Sequence, residues 1–200
     1  MHMHSLLSES LFDKVIEDVK RVFAGMMAEM LFRESLPPSL ESYLKIRTRT
    51  IGISPFFTLA EGVLCRGIGG RAQHSETFNE LKELINEIIG LQNDLIGLDK
   101  DLREKETMNF VIVLGDLREK SSRNMEKEEA ILRECVAEAE KMHTNAVERA
   151  TLIWRAIHTA RTTSYEKDLS DVMMTFTERH LKWSMACQRF KIGNISIKED

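Results

Sequence analysis

Two hundred residues, 42% of them hydrophobic and 30% charged, are enough for one domain with a packed core and leave little room for a second. A formal charge of -4 gives no electrostatic reason to expect nucleic acid or an anionic membrane surface as the main partner. The scattered Cys65, Cys135 and Cys187 form no CxxC, and no stretch approaches the roughly 20 apolar residues of a membrane span, so the reading is a soluble protein of the reducing cytoplasm.

All three prolines, Pro37, Pro38 and Pro55, fall in one short window, and nothing after it interrupts helical hydrogen bonding. Apolar residues recur at three- and four-residue spacing and never alternate for long, so the chain reads as all-α with no sheet. The first helix is expected from about Ser8 or Ser10 to Arg33, with Phe12, Val15, Ile16, Val19, Phe23, Met26, Met27 and Met30 as its apolar face. Ser39 is a candidate N-cap for a short helix through Tyr43 to about Arg47 that breaks around Gly52, and Ser54-Pro55 restarts it with proline at the first helical position.

The segment Arg66 to His74, RGIGGRAQH, lacks a GK[ST] ending and a preceding strand, so it reads as a surface turn and not a phosphate loop. Ser75 opens a long helix whose stripe is Phe78, Leu81, Leu84, Ile85, Ile88, Leu91, Leu95, Leu98 and Leu102. An apolar helix at Met108 to Leu117 follows, then a long charged one from about Asn124 to Thr162 and a last one from about Tyr165 to Gln188.

On the long helix, Asn93, Gly97 and Asp101 stand at i, i+4 and i+8, within roughly an 80° arc at about 100° per residue. Lys100 lies about 20° from Asn93 on the same projection. Oxygen ligands and a cation on one face suit a divalent metal and a diphosphate; the plain alternative is a solvated polar face.

The stretch NDLIGLDKDLREKETMNFVIVL resembles the second metal motif of microbial-type class I terpene synthases, written NDxxSxxxE, together with the helix that follows it. Two further blocks resemble that family in order. PSLESYLKIRTRTIGISPFF resembles its segment with a diphosphate-sensing arginine before a helix break, and WSMACQRF resembles its WSxxxxRY ending. The resemblance covers about Phe23 to Phe190 and implies an all-α antiparallel helical bundle of the class I terpenoid synthase type, residues 1–200 forming one partial catalytic domain whose N-terminal helices are absent.

It also implies Mg²⁺ as cofactor, ligated at Asn93, Gly97 and Asp101. Arg47, Lys100, Arg189 and Phe190 are then diphosphate contacts, and Thr50, Ile51 and Gly52 the linker and effector positions. Trp183 is either a cation-stabilising ring or plain core, and Phe56 and Phe57 are weaker cavity candidates. Three departures bear on one site: Gly97 brings no hydroxyl, Asp101 is a methylene shorter than Glu, and Phe190 lacks the tyrosine hydroxyl. No DDxxD motif occurs in the sequence.

The function so implied is a Mg²⁺-dependent terpene cyclase, a carbon–oxygen lyase ionising a prenyl diphosphate such as farnesyl or geranylgeranyl diphosphate. The alternative is a catalytically inactive helical remnant that binds diphosphate or a protein partner. The expected partner is the small-molecule prenyl diphosphate, with no nucleic acid, and homodimerisation stays open.

Overall fold

A computed structural model describes residues 9–32, 35–64, 74–119 and 125–187, which form seven α-helices and no strand. In chain order they are α1 (Glu9–Met30), α2 (Leu40–Thr50), α3 (Ser54–Leu64), α4 (Glu76–Glu104), α5 (Phe110–Glu119), α6 (Met125–Thr159) and α7 (Ser164–Ala186). Their order and number follow the periodicity of the sequence. Arg189 and Phe190, and nearly all of the Arg66 to His74 segment, lie outside the described residues.

The turn chemistry expected from sequence sets the helix starts. Ser39 is extended and its side chain accepts from the Ser42 N–H at 3.1 Å, capping α2, while Ser75 accepts from the Phe78 N–H at 3.2 Å, capping α4. Each hydroxyl satisfies one of the amide donors a helix start leaves without an intrahelical partner. Gly52, at φ +71°, takes the chain through the left-handed turn between α2 and α3, a conformation costly for any residue with a Cβ. Pro55 falls one position later than expected, because α3 begins at Ser54 with its first bonds to the Ile53 carbonyl.

The long helix α4 is the axis of the structure, packing against α2, α5, α6 and α7. One of its flanks joins Phe57, Ala150, Ile157, Leu169 and Met173 in a core built around Leu81, Ile85 and Ile88. The other brings Leu91 against Tyr43, Phe110, Val113, Cys135 and Ala139. Of the expected stripe, only Leu102 is substantially exposed, at the end where α4 runs past both clusters.

The apolar face expected for α1 is corrected by the structure. Of its eight residues only Val15 is buried; Phe23 is 61% and Met27 71% exposed. The packed face is instead Leu11, Val15, Asp18 and Gly25. The reason is close approach: a Cβ on Gly25 would stand 2.7 Å from the Arg49 Cβ and 3.1 Å from a Thr50 methyl. Asp18 is tolerated inside because the Thr58 hydroxyl donates to it at 2.6 Å, removing the cost of an unpaired buried acceptor. Hydrophobic periodicity counts apolar side chains, whereas this contact selects small and paired polar ones.

The thiols of Cys135, buried, and Cys187, half-buried, are both free. No helix among the described residues is long and apolar enough to cross a membrane.

Two glycines separate propensity from packing. Gly25→Ala gains up to about 1 kcal/mol of helix propensity, but the overlap with Arg49 and Thr50 costs about 1–3 kcal/mol, so a lower urea midpoint is expected. Gly115→Ala in α5, where an added Cβ meets nothing within 4 Å, keeps only the propensity gain and raises the midpoint. An unchanged or higher midpoint for Gly25→Ala would contradict the close α1–α2 contact.

Candidate functional site

A carboxylate that sequence reasoning passed over organises the site. Asp94, the residue after Asn93, is 1% exposed, and its two oxygens join three helices. Oδ1 stands 2.6 Å from a guanidinium nitrogen of Arg47 on α2 in an ion pair. Oδ2 accepts from the Tyr43 hydroxyl, one turn earlier on α2, and from the Phe110 N–H at 3.0 Å, at the start of α5. The amide donors and dipole of that helix start favour negative charge.

Burial pushes the Asp94 carboxyl well above the usual carboxylate range; the Phe110 N–H opposes this, and the charges of Asp101 and Glu29 add to it. The guanidinium in contact is the counter-charge that favours ionisation at this depth. Arg47 is itself held with its side chain 16% exposed, at the end of α2. The helix break follows at once: Ile51 N–H donates to the Arg47 carbonyl at 3.0 Å and Gly52 N–H to the Arg49 carbonyl at 3.3 Å. Sequence spacing thus placed Arg47 and Gly52 on one short segment, and Asp94 brings that segment to the NDxxGxxxD face.

Along that face Asn93 is half-buried, Gly97 buried and Asp101 half-buried. The Asn93 side chain makes no hydrogen bond among the described residues. Asp101 accepts from Asn109 Nδ2 at 2.9 Å through Oδ2, and its Oδ1 faces Lys100 Nζ at 3.5 Å. Lys100 also bonds Glu104 at 2.7 Å. That bond to Glu104, opposed by partial burial and aided by the Asp101 charge, raises the Lys100 pKa, so the side chain is a fixed cation. Glu104, at i+11, lies about 20° from Asn93 on the helical projection and belongs to the same polar face.

Divalent-cation geometry can be tested on this face. Asn93 and Asp101 are roughly 12 Å apart along the helix axis. Two side chains of their length plus two Mg–O bonds of about 2.1 Å span roughly 11 Å at full stretch. One ion bonded directly to both is therefore just out of reach, and a glutamate at 101 would close the gap. Among the described residues no group of three or more His, Cys, Asp and Glu gathers around one point. The donors fit a hydrated cation bound by one side chain and by water to the other, as suits Mg²⁺, which keeps several of its waters.

Trp183 is 59% exposed, which removes its plain-core reading. Its neighbour one turn earlier, His180, lies 6.1 Å from it ring to ring. His180 Nδ1 bonds Gln92 Oε1 at 3.0 Å, and the Gln92 amide reaches His143 Nε2 at 3.2 Å. This tie pins the end of α7 and the middle of α6 to α4 one residue before Asn93. Burial lowers the pKa of both histidines, matching neutral rings that share one amide. Of the two weaker cavity candidates, Phe57 is core at 3% exposure, in edge contact with Phe176, and Phe56 is exposed.

On one face of α4 this all-α structure sets Lys100 beside the oxygen donors of Asn93 and Asp101, a donor set whose chemistry suits a divalent metal. The family model described as Terpene synthase family 2, C-terminal metal binding, matches residues 2–149, and the chain belongs to that family. The match spans α1 to α5 and most of α6, so the resemblance of the Trp183 to Phe190 segment rests on its own motif. A comparison with curated proteins gave no match.

Removing Arg47 should expose the cost of the buried carboxylate. Arg47→Leu is expected to lose about 3–5 kcal/mol near pH 8, the range for breaking one side of a buried pair. Without the guanidinium the folded-state pKa of Asp94 rises further than in wild type, so protonation stabilises the variant more, and its deficit against wild type should shrink as pH falls from 8 to 5. Parallel denaturation curves at the two pH values check this; a pH-independent deficit would contradict it.

Proposed function

We propose that the chain binds the diphosphate of an allylic prenyl substrate with Mg²⁺ and serves its ionisation as a terpene cyclase. The observation that carries this reading is the Arg47–Asp94 pair, which joins the arginine before the helix break to the NDxxGxxxD face of α4. Asn93 and Asp101 are the residues that would hold the cation, with Gly97 leaving one coordination position to water or a diphosphate oxygen. Bound there, Mg²⁺ would neutralise charge developing on the leaving diphosphate.

The chain's own residues do the rest. Arg47 presents a planar fork suited to phosphate oxygens, and Lys100 a point charge held by Glu104 and Asp101. Arg189 and Phe190 are assigned to the same diphosphate by motif. Backbone carbonyls around the break at Thr50 to Gly52 fall outside the ladders of α2 and α3, and their dipoles can stabilise positive charge on the allyl carbons. Trp183 and Phe56 offer exposed aromatic faces to a carbocation.

A second reading is diphosphate binding without turnover. It is favoured by the short reach of Asp101. Incubation with C10, C15 and C20 prenyl diphosphates and Mg²⁺, with volatile products read by mass spectrometry, separates the two: cyclic hydrocarbons support the cyclase, and diphosphate binding without product supports the second reading.

Restoring the family's ligand types should strengthen the site. Gly97→Ser with Asp101→Glu adds a hydroxyl and the missing methylene, and is expected to tighten Mg²⁺-dependent diphosphate binding on the order of tenfold, about 1.4 kcal/mol. Calorimetric titration with inorganic diphosphate checks it; unchanged affinity would argue against cation binding on this face.

A further inference from the structure

We infer that Asn109 is a positioning residue for the α4 cation site, acting through Asp101. The inference rests on the proposed role of Asp101 and concerns a residue that touches neither cation nor substrate. Asn109 is fully buried, and three of the four hydrogen-bonding directions of its side-chain amide are engaged. Nδ2 donates one proton to the Asp94 carbonyl at 2.8 Å and the other to Asp101 Oδ2 at 2.9 Å, while Oδ1 accepts from the Val111 N–H at 2.9 Å. The Val111 bond makes Asn109 the N-cap of α5, so the amide is locked in place by a helix start and by the backbone of α4 at once.

A rigid donor of this kind fixes which oxygen of Asp101 is available. Oδ2 is held inward, and Oδ1 is left on the side of Lys100. Asp101 is short for its task at the far end of an i, i+8 span, so freedom to rotate would be costly: a misdirected carboxylate cannot recover reach by stretching. The structure compensates by ordering the carboxylate from behind, as outer-shell partners order metal ligands generally. The same residue ties the Asp101 carboxylate to the α4 backbone at Asp94, because its two donated protons end on the Asp94 carbonyl and on Asp101 Oδ2.

The test uses Mn²⁺ binding in the presence of inorganic diphosphate, read by electron paramagnetic resonance, on wild type, Asn109→Leu, Asp101→Asn and the double variant. Asp101→Asn is expected to weaken binding, Asn109→Leu to weaken it about 10- to 100-fold, and the double variant to bind no more weakly than Asp101→Asn alone. A normal Asp101→Asn titration would sink both the cation reading and this inference. A weakened Asp101→Asn with Asn109→Leu within twofold of wild type, or with additive losses, would overturn the positioning role alone. Should Asn109→Leu fail to fold, chains that keep Asn109 still decide: its side-chain amide signal in a nitrogen-15 spectrum should move on Mg²⁺ addition in wild type and stay fixed in Asp101→Asn. Movement in both, or in neither, would refute the inference.

Discussion

Asp94 places a carboxylate out of water within α4, the helix that packs against α2, α5, α6 and α7, and three helices arrange themselves around its needs. A buried charge of this kind is tolerated only when it is paired and hydrogen-bonded. The guanidinium of Arg47, the hydroxyl of Tyr43 and the N-terminal amide of α5 meet that demand. None of the three can move independently, so the end of α2, the NDxxGxxxD face of α4 and the start of α5 form one unit. That unit is what an anionic ligand and its cation would encounter.

Around this unit the remaining contacts serve alignment. The close α1–α2 approach at Gly25 sets where the helix break at Gly52 sits. The His143–Gln92–His180 chain fixes α6 and α7 beside Asn93. The first is a steric close approach and the second a directional hydrogen-bond chain, and both are buried or half-buried. The outer face of α1 carries Phe23, Met27 and Met30 exposed.

The helices were legible from sequence because their signals are local: Ser39 and Ser75 as caps, Gly52 as a break, and a long stripe from Phe78 onward. The stripe arc of Asn93, Gly97 and Asp101 was equally legible, since it depends only on helical pitch. The orientation of α1 was not, because the face that packs is selected by the close contact with α2 and not by the apolar stripe. Asp94 escaped because a carboxylate within a metal motif reads as polar surface until its partners on α2 and α5 are known. Asn109 carried a usable signal, an asparagine just before an apolar helix, which predicts a cap; its second bond, to Asp101, depends on how α4 and α5 meet.

The most direct measurement is a crystal structure of the chain grown with Mn²⁺ and inorganic diphosphate, with the metal located by anomalous scattering. The account predicts a metal peak on the Asn93 and Asp101 face of α4, with diphosphate oxygens in contact with Lys100 and Arg47 and the Arg47–Asp94 pair still formed or exchanged for the diphosphate. A metal and diphosphate bound away from α4, with Asn93, Lys100 and Asp101 untouched, would contradict it.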